Sequence, residues 1–118
     1  MDKQYKALTN SISAGLKQMR HGAPEAMQAF AMLSSSATKD GVLDKKTKEL
    51  IALALGVAAH CDGCIGFHTQ TLVKLGVSKQ ALIEALGMAV YMGGGPSLMY
   101  AADAITAYDQ ASASSPNN

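Results

Sequence analysis

Residues 44–76 read DKKTKELIALALGVAAHCDGCIGFHTQTLVKLG, and this stretch decides the fold. Asp44 suits the N-cap of a third helix running through Glu49 and Leu50 to about residue 60. Its apolar positions, Ile51, Leu53, Leu55 and Val57, lie on nearly all sides, as expected of a buried central helix. Asp62-Gly63 inside the His-Cys-Asp-Gly-Cys run then reads as a turn or a helix break. A fourth helix follows over residues 64–75, with Asp62 as its N-cap and Gly76 as the C′ residue that closes it.

Working outward, residues 3–20 carry Ala7, Leu8, Ile12, Leu16 and Met19 at helical spacing, with Gly22 ending that helix. Pro24 opens a second helix to about residue 34, presenting Met27, Phe30 and Ala31, and the serine run 34–36 marks its end. Ser78 caps a fifth helix over residues 79–92, with Ala81, Leu82, Ala85, Met88 and Ala89 on one face. The Gly93-Gly94-Gly95-Pro96 run breaks the pattern, and a sixth helix covers residues 97–110. The tail 111–118 reads as disordered. Alanine occurs 20 times and aromatics make up only 5% of the chain, so composition favours helix over sheet. The fold class is all-α, a bundle of about six helices.

The chain has 118 residues, close to the commonest single-domain size, and one domain over 1–118 is expected. Lys plus Arg is 10 and Asp plus Glu is 9, which argues against a nucleic-acid partner that works by phosphate neutralisation. The longest apolar stretch, residues 50–59, is about half of what a bilayer span needs, and no apolar run follows the first bases. A cytoplasmic protein with no membrane partner is expected.

Glu49, Cys61, Cys64 and His68 are the residues equipped for chemistry. Two cysteines three apart can close a small disulfide ring and cycle between dithiol and disulfide. Attack on a peroxide or a disulfide requires a thiolate, and a free thiol with a pKa of about 8.5 is only partly ionised at neutral pH. Two features lower that value for Cys64. In the first helical turn it faces unpaired N–H groups, and His68 at i+4 can accept its proton. Glu49 can orient His68 or relay protons. A continuous helix would set it about 18 Å before Cys61, so it reaches the site only if the chain folds back at residues 60–63.

The same residues admit other readings. Cys61 and Cys64 could be packing thiols, or zinc ligands together with His60 and His68. Ligands spread over about 10 Å of helix do not converge on one ion without a large break near Gly63, so no metal is expected. Ile65 stands where a c-type haem motif needs histidine, and no Lys-Ser/Thr follows Gly93-Gly94-Gly95 to make a phosphate loop.

The order Glu49…Cys61-x-x-Cys64-x-x-x-His68 in an Ala-rich, all-helical chain resembles the carboxymuconolactone decarboxylase / alkylhydroperoxidase D-like (AhpD-like) family in its redox-active branch, over about residues 40–110. The resemblance implies a small helical subunit that forms homo-oligomers, commonly trimers or hexamers. It implies a thiol-dependent peroxidase or disulfide reductase acting on a hydroperoxide or disulfide substrate. By position, Cys64 would be the attacking thiol, Cys61 the resolving thiol, His68 the base, and Glu49 the end of a proton relay. No cofactor is implied beyond the redox-active Cys61–Cys64 disulfide and an external dithiol, a lipoyl- or thioredoxin-type donor or a peroxiredoxin partner. The chain departs from the best-known branch at Gly63, where that branch carries a second histidine. If Cys61 stood at the helix start with Cys64 buried, the order of the two thiols would reverse, as in thioredoxin. The alternatives are a γ-carboxymuconolactone decarboxylase, whose chemistry needs no thiol cycle, and a non-catalytic oligomeric binding protein.

Overall fold

In a computed structural model, residues 3–114 are described, and among them six helices and no strand are found. In chain order they are α1 (Tyr5–Gly22), α2 (Pro24–Thr38), α3 (Lys45–Ala58), α4 (Asp62–Lys74), α5 (Lys79–Gly93) and α6 (Gly95–Ala113). Local chemistry sets most of their ends. Asp44 accepts the Thr47 N–H at 2.8 Å to open α3, and Ser78 accepts the Ala81 N–H at 3.1 Å to open α5. Gly76, at φ 76°, closes α4 in the left-handed conformation that a glycine adopts without a Cβ clash.

Helices α3 and α6 each pack on both α4 and α5 and on one another, α1 lies across α4 and the edge of α6, and α2 touches α1 and α3. The core is built from Leu53 and Val57 of α3, Ile65 and Leu72 of α4, and Leu82 and Leu86 of α5. Facing them, α6 presents the small row Ser97, Ala101, Ala104 and Ala107, which lets its backbone come close. Each buried leucine or isoleucine contributes about 1.5–3 kcal/mol.

Several boundaries differ from the sequence reading. Helix α2 runs on through the serines to Thr38, whose hydroxyl donates to the Ser34 carbonyl instead of breaking the helix. Helix α3 stops at Ala58 rather than near residue 60, and α4 starts at Asp62 rather than Cys64. Helix α6 starts at Gly95 and continues to Ala113, so residues 111–113 are helical and not part of a disordered tail. Alanine is the best helix former and supplies two of those three positions. Residues 115–118 of that expected tail lie outside the described residues.

Nor is α3 buried all round. It buries a stripe of Glu49, Leu53, Gly56 and Val57, while Leu55 is 65% exposed on the opposite side. Helix α2 buries no residue at all, and Phe30 on it is 66% exposed.

Candidate active site

The chain folds back between α3 and α4 through a two-bond helix stop. His60 N–H donates to the Val57 carbonyl at 3.1 Å and Cys61 N–H to the Gly56 carbonyl at 3.0 Å. That is the Schellman pattern, and it puts His60 in the left-handed region at φ 56°. A residue with a Cβ costs about 1–2 kcal/mol there, which glycine avoids. Here the side chain stacks on Tyr100 of α6, ring centroids 4.6 Å apart and planes 5° from parallel. The break expected at Asp62-Gly63 therefore falls two residues earlier, and Asp62 and Gly63 form the first turn of α4.

Cys61, not Asp62, is the N-cap of α4. Its backbone is extended (φ −107°, ψ 98°), and its Sγ accepts the Cys64 N–H at 3.1 Å. The sulfur takes the place of the usual hydroxyl or carboxylate cap because its side chain is equally short. Cys61 and Cys64 are joined as a disulfide with Cα atoms 5.2 Å apart, and both residues are partly buried. Both sulfurs belong to the positive end of α4.

The reversal carries Glu49 back alongside α4, cancelling the separation along α3. Its Oε2 accepts the His68 Nδ1–H at 2.6 Å. The Glu49 side chain is 6% exposed and that of His68 31%, so the pair joins a buried carboxylate to a ring that reaches the surface. A carboxylate can only accept, so Nδ1 carries the proton, and Nε2 is the ring nitrogen left for a second partner. His68 lies one turn beyond Cys64 on the same face of α4. All four residues singled out from the sequence are thus brought to the α3–α4 contact.

Glycines set how closely the neighbouring helices approach. A Cβ at Gly56 of α3 would stand 2.9 Å from Cys64 Cβ, so α3 lies directly behind the second cysteine. On another side of α4, Gly63 and Gly66 receive α1: added Cβ atoms there would meet Ile12 Cδ1 at 2.8 Å and Thr9 Cγ2 at 2.6 Å. Position 63, where the AhpD-like pattern carries histidine, is thus occupied by packing from Ile12.

Sequence reasoning missed a second polar cluster. Lys3 Nζ donates to Asp62 Oδ1 at 2.8 Å and to Asp103 Oδ2 at 2.7 Å, and lies 5.0 Å from the centre of the Tyr100 ring. The hydrogen bonds it donates to Asp103 and then to Asp62 hold the ammonium charged beyond the usual lysine range. Gln110 of α6 anchors this end of the chain: its Oε1 accepts the Tyr5 N–H at 2.9 Å and its Nε2 donates to the Lys3 carbonyl at 2.8 Å. These contacts span up to 107 residues, and no local spacing announces them. Among the aromatic side chains, Tyr100 stands beside the reversal and Phe67 is half-buried on α4. Tyr91 is exposed on α5. Among the described residues, no group of three His, Cys, Asp or Glu side chains is placed to hold a metal ion, and no helix is long and apolar enough to cross a membrane.

The chain resembles several known proteins. The profile described as "Carboxymuconolactone decarboxylase family" matches residues 24–107. A crystal structure of the apo form of a carboxymuconolactone decarboxylase family protein from Legionella pneumophila superposes with a TM-score of 0.90 at 58% identity, covering 92% of this chain and 96% of that one. An uncharacterized protein from Cupriavidus necator is 37% identical over 92% of this chain and 96% of its own. The alkyl hydroperoxide reductase AhpD of Coxiella burnetii is 36% identical over 52 residues, which are 44% of this chain and 29% of that protein.

Proposed function

Because the chain belongs to the carboxymuconolactone decarboxylase family, and because a cysteine pair lies on α4 with the Glu49–His68 hydrogen bond, we propose that it is a thiol–disulfide oxidoreductase with alkylhydroperoxidase-like activity. The observation that carries this reading is the cysteine pair at the helix start, with His68 one turn on and held by a buried carboxylate. The partial likeness to AhpD supports it.

Each thiol has its own source of activation in this reading. His68 takes the Cys64 proton at Nε2, directly or through a water, and Glu49 stabilises the imidazolium that forms. Cys61 remains the cap of α4, where the Cys64 N–H and the helix dipole favour its thiolate. The Cys64 thiolate attacks the terminal oxygen of a hydroperoxide. The O–O bond breaks, the alcohol leaves with the proton from His68, and Cys64 becomes a sulfenic acid. Cys61 then attacks the Cys64 sulfur as its thiolate, the S–O bond breaks, and the leaving hydroxide takes up the proton that Cys61 released and departs as water, giving the disulfide. An external dithiol, of lipoyl or thioredoxin type, reduces it through a mixed disulfide and is itself oxidised. The same pair could instead serve a protein disulfide or a peroxiredoxin partner. This thiol cycle belongs in a reducing compartment, the cytoplasm. The subunit works as a homo-oligomer, a trimer or hexamer, and its uncovered apolar helix faces support that assembly.

Mass spectrometry of the reduced protein tests the cycle, after brief exposure to tert-butyl hydroperoxide and then to dihydrolipoamide. Loss of two hydrogens mapped to Cys61–Cys64, and their return with the dithiol, is the expected result, and Cys64→Ser abolishes turnover. Thiols that stay reduced, or turnover retained in Cys64→Ser, overturn the mechanism. The family description favours a second assay, conversion of γ-carboxymuconolactone by the doubly Cys→Ser protein. Undiminished conversion there would assign a decarboxylase instead.

A further inference from the structure

A carboxylate stands between the two cysteines. Asp62 follows Cys61 directly and precedes Cys64 by two residues, and an ionised side chain there opposes a thiolate at either sulfur. One cation answers it. Lys3 binds Asp62 and Asp103 together while its ammonium lies against the Tyr100 ring, whose neighbour His60 is bonded to Cys61. The Lys3 carbonyl is held by Gln110, so the backbone behind the ammonium is anchored as well. A half-exposed ion pair adds little to stability. Three elements nonetheless converge to place this charge, which points to an electrostatic purpose.

Resting on the redox reading above, we propose that Lys3 is a positioning residue of the Cys61–Cys64 dithiol, whose ammonium neutralises Asp62 and holds that carboxylate away from the sulfurs so that thiolate forms beside it. The charged and titratable groups around the pair are few. From the segment just before α1 comes Lys3 and from α1 the buried Tyr5, from the reversal His60, and from α4 Asp62 and His68. Helix α3 supplies Glu49, already engaged with His68, and α6 supplies Tyr100 and Asp103. Among these, Lys3 is the permanent cation at neutral pH. Removing its charge leaves Asp62 and Asp103 uncompensated.

The test is the pH dependence of iodoacetamide alkylation of the fully reduced protein, followed for Cys61 and Cys64 separately by peptide mass spectrometry. Lys3→Gln keeps a hydrogen-bonding side chain and removes the charge. It is expected to shift the Cys61 profile to higher pH and to slow alkylation at pH 7 by about three- to tenfold. Lys3→Arg should react as wild type, and Asp62→Asn in the Lys3→Gln background should restore most of the rate. Thermal unfolding of each variant confirms that the comparison is between folded proteins. A Lys3→Gln profile that coincides with wild type overturns the proposal. So does a Lys3→Arg rate as low as that of Lys3→Gln, or a double variant no faster than Lys3→Gln. The redox reading fails separately, if hydroperoxide leaves the wild-type thiols reduced, and the alkylation profiles decide the role of Lys3 in either case.

Discussion

Tyr5 buries its ring in the core, yet its hydroxyl has no hydrogen-bond partner among the described residues. Burial, and secondarily the Asp103 charge, push its pKa up to about 12. An unfolded tyrosine ionises near pH 10, so from there to about pH 12 the unfolded chain releases a proton that the folded one keeps. Stability is unaffected by this group below about pH 10 and falls as pH rises through that window. Tyr5→Phe removes a buried donor that bonds to nothing. The variant is expected to be as stable as wild type at pH 7, or more stable by up to about 1 kcal/mol, with a shallower alkaline loss. Urea unfolding at pH 7 and pH 11 measures both, and an alkaline loss equal to wild type would sink the argument. Whatever loss remains in Tyr5→Phe belongs in part to Lys3, whose raised pKa acts in the same direction at still higher pH.

At the level of helices, the site depends on how closely α3 and α4 approach behind Cys64. Gly56→Ala has two opposed effects. Alanine favours helix over glycine by about 1 kcal/mol, whereas the added methyl would press on Cys64 Cβ from 2.9 Å, and overpacking of that kind costs about 1–3 kcal/mol. The clash is with the root of a side chain and cannot be relieved by rotating it, so net destabilisation of the oxidised protein is expected in chemical denaturation. A stabilised Gly56→Ala would mean that the helices separate easily there. Helix existence was legible throughout, and so were the ends made by Asp44, Ser78 and Gly76, because a cap bonds within a few residues of itself. The stop at His60 was not. Its left-handed backbone is held by the Tyr100 stack, forty positions away in the chain. Asp62 looks like the better cap in the sequence, but the reversal leaves Cys61 with the extended backbone of a cap and puts Asp62 in the first turn of α4, where it engages Lys3.

Across the whole molecule, the described residues leave more apolar surface uncovered than a lone subunit of this size needs. Phe30, Met32 and Leu33 of α2, Leu55 of α3 and Met92 of α5 are all more than half exposed, and α2 buries nothing. Such surface is expected to be covered by further copies of the chain. Light scattering at micromolar concentration should therefore give a multiple of the 12.2 kDa subunit mass, three or six copies. A clean 12.2 kDa particle would refute the assembly. The sequence reading takes α3, apolar on nearly all sides, for a buried central helix, because such a helix looks the same whether its own chain or a neighbour covers it.

What the sequence by itself determined is what depends on neighbours within a few positions: an all-helical chain, its helix order, most of its caps, and the grouping of two cysteines with a histidine one turn away. The tertiary structure decided the rest. It brought Glu49 to His68 by reversing the chain at His60, made Cys61 the cap of α4, and set Lys3 between Asp62 and Asp103. The physical reason is one of range. Helix propensity and capping are local and leave a pattern in the sequence, whereas these ion pairs and hydrogen bonds form between residues as far as 100 positions apart, which packing alone brings together.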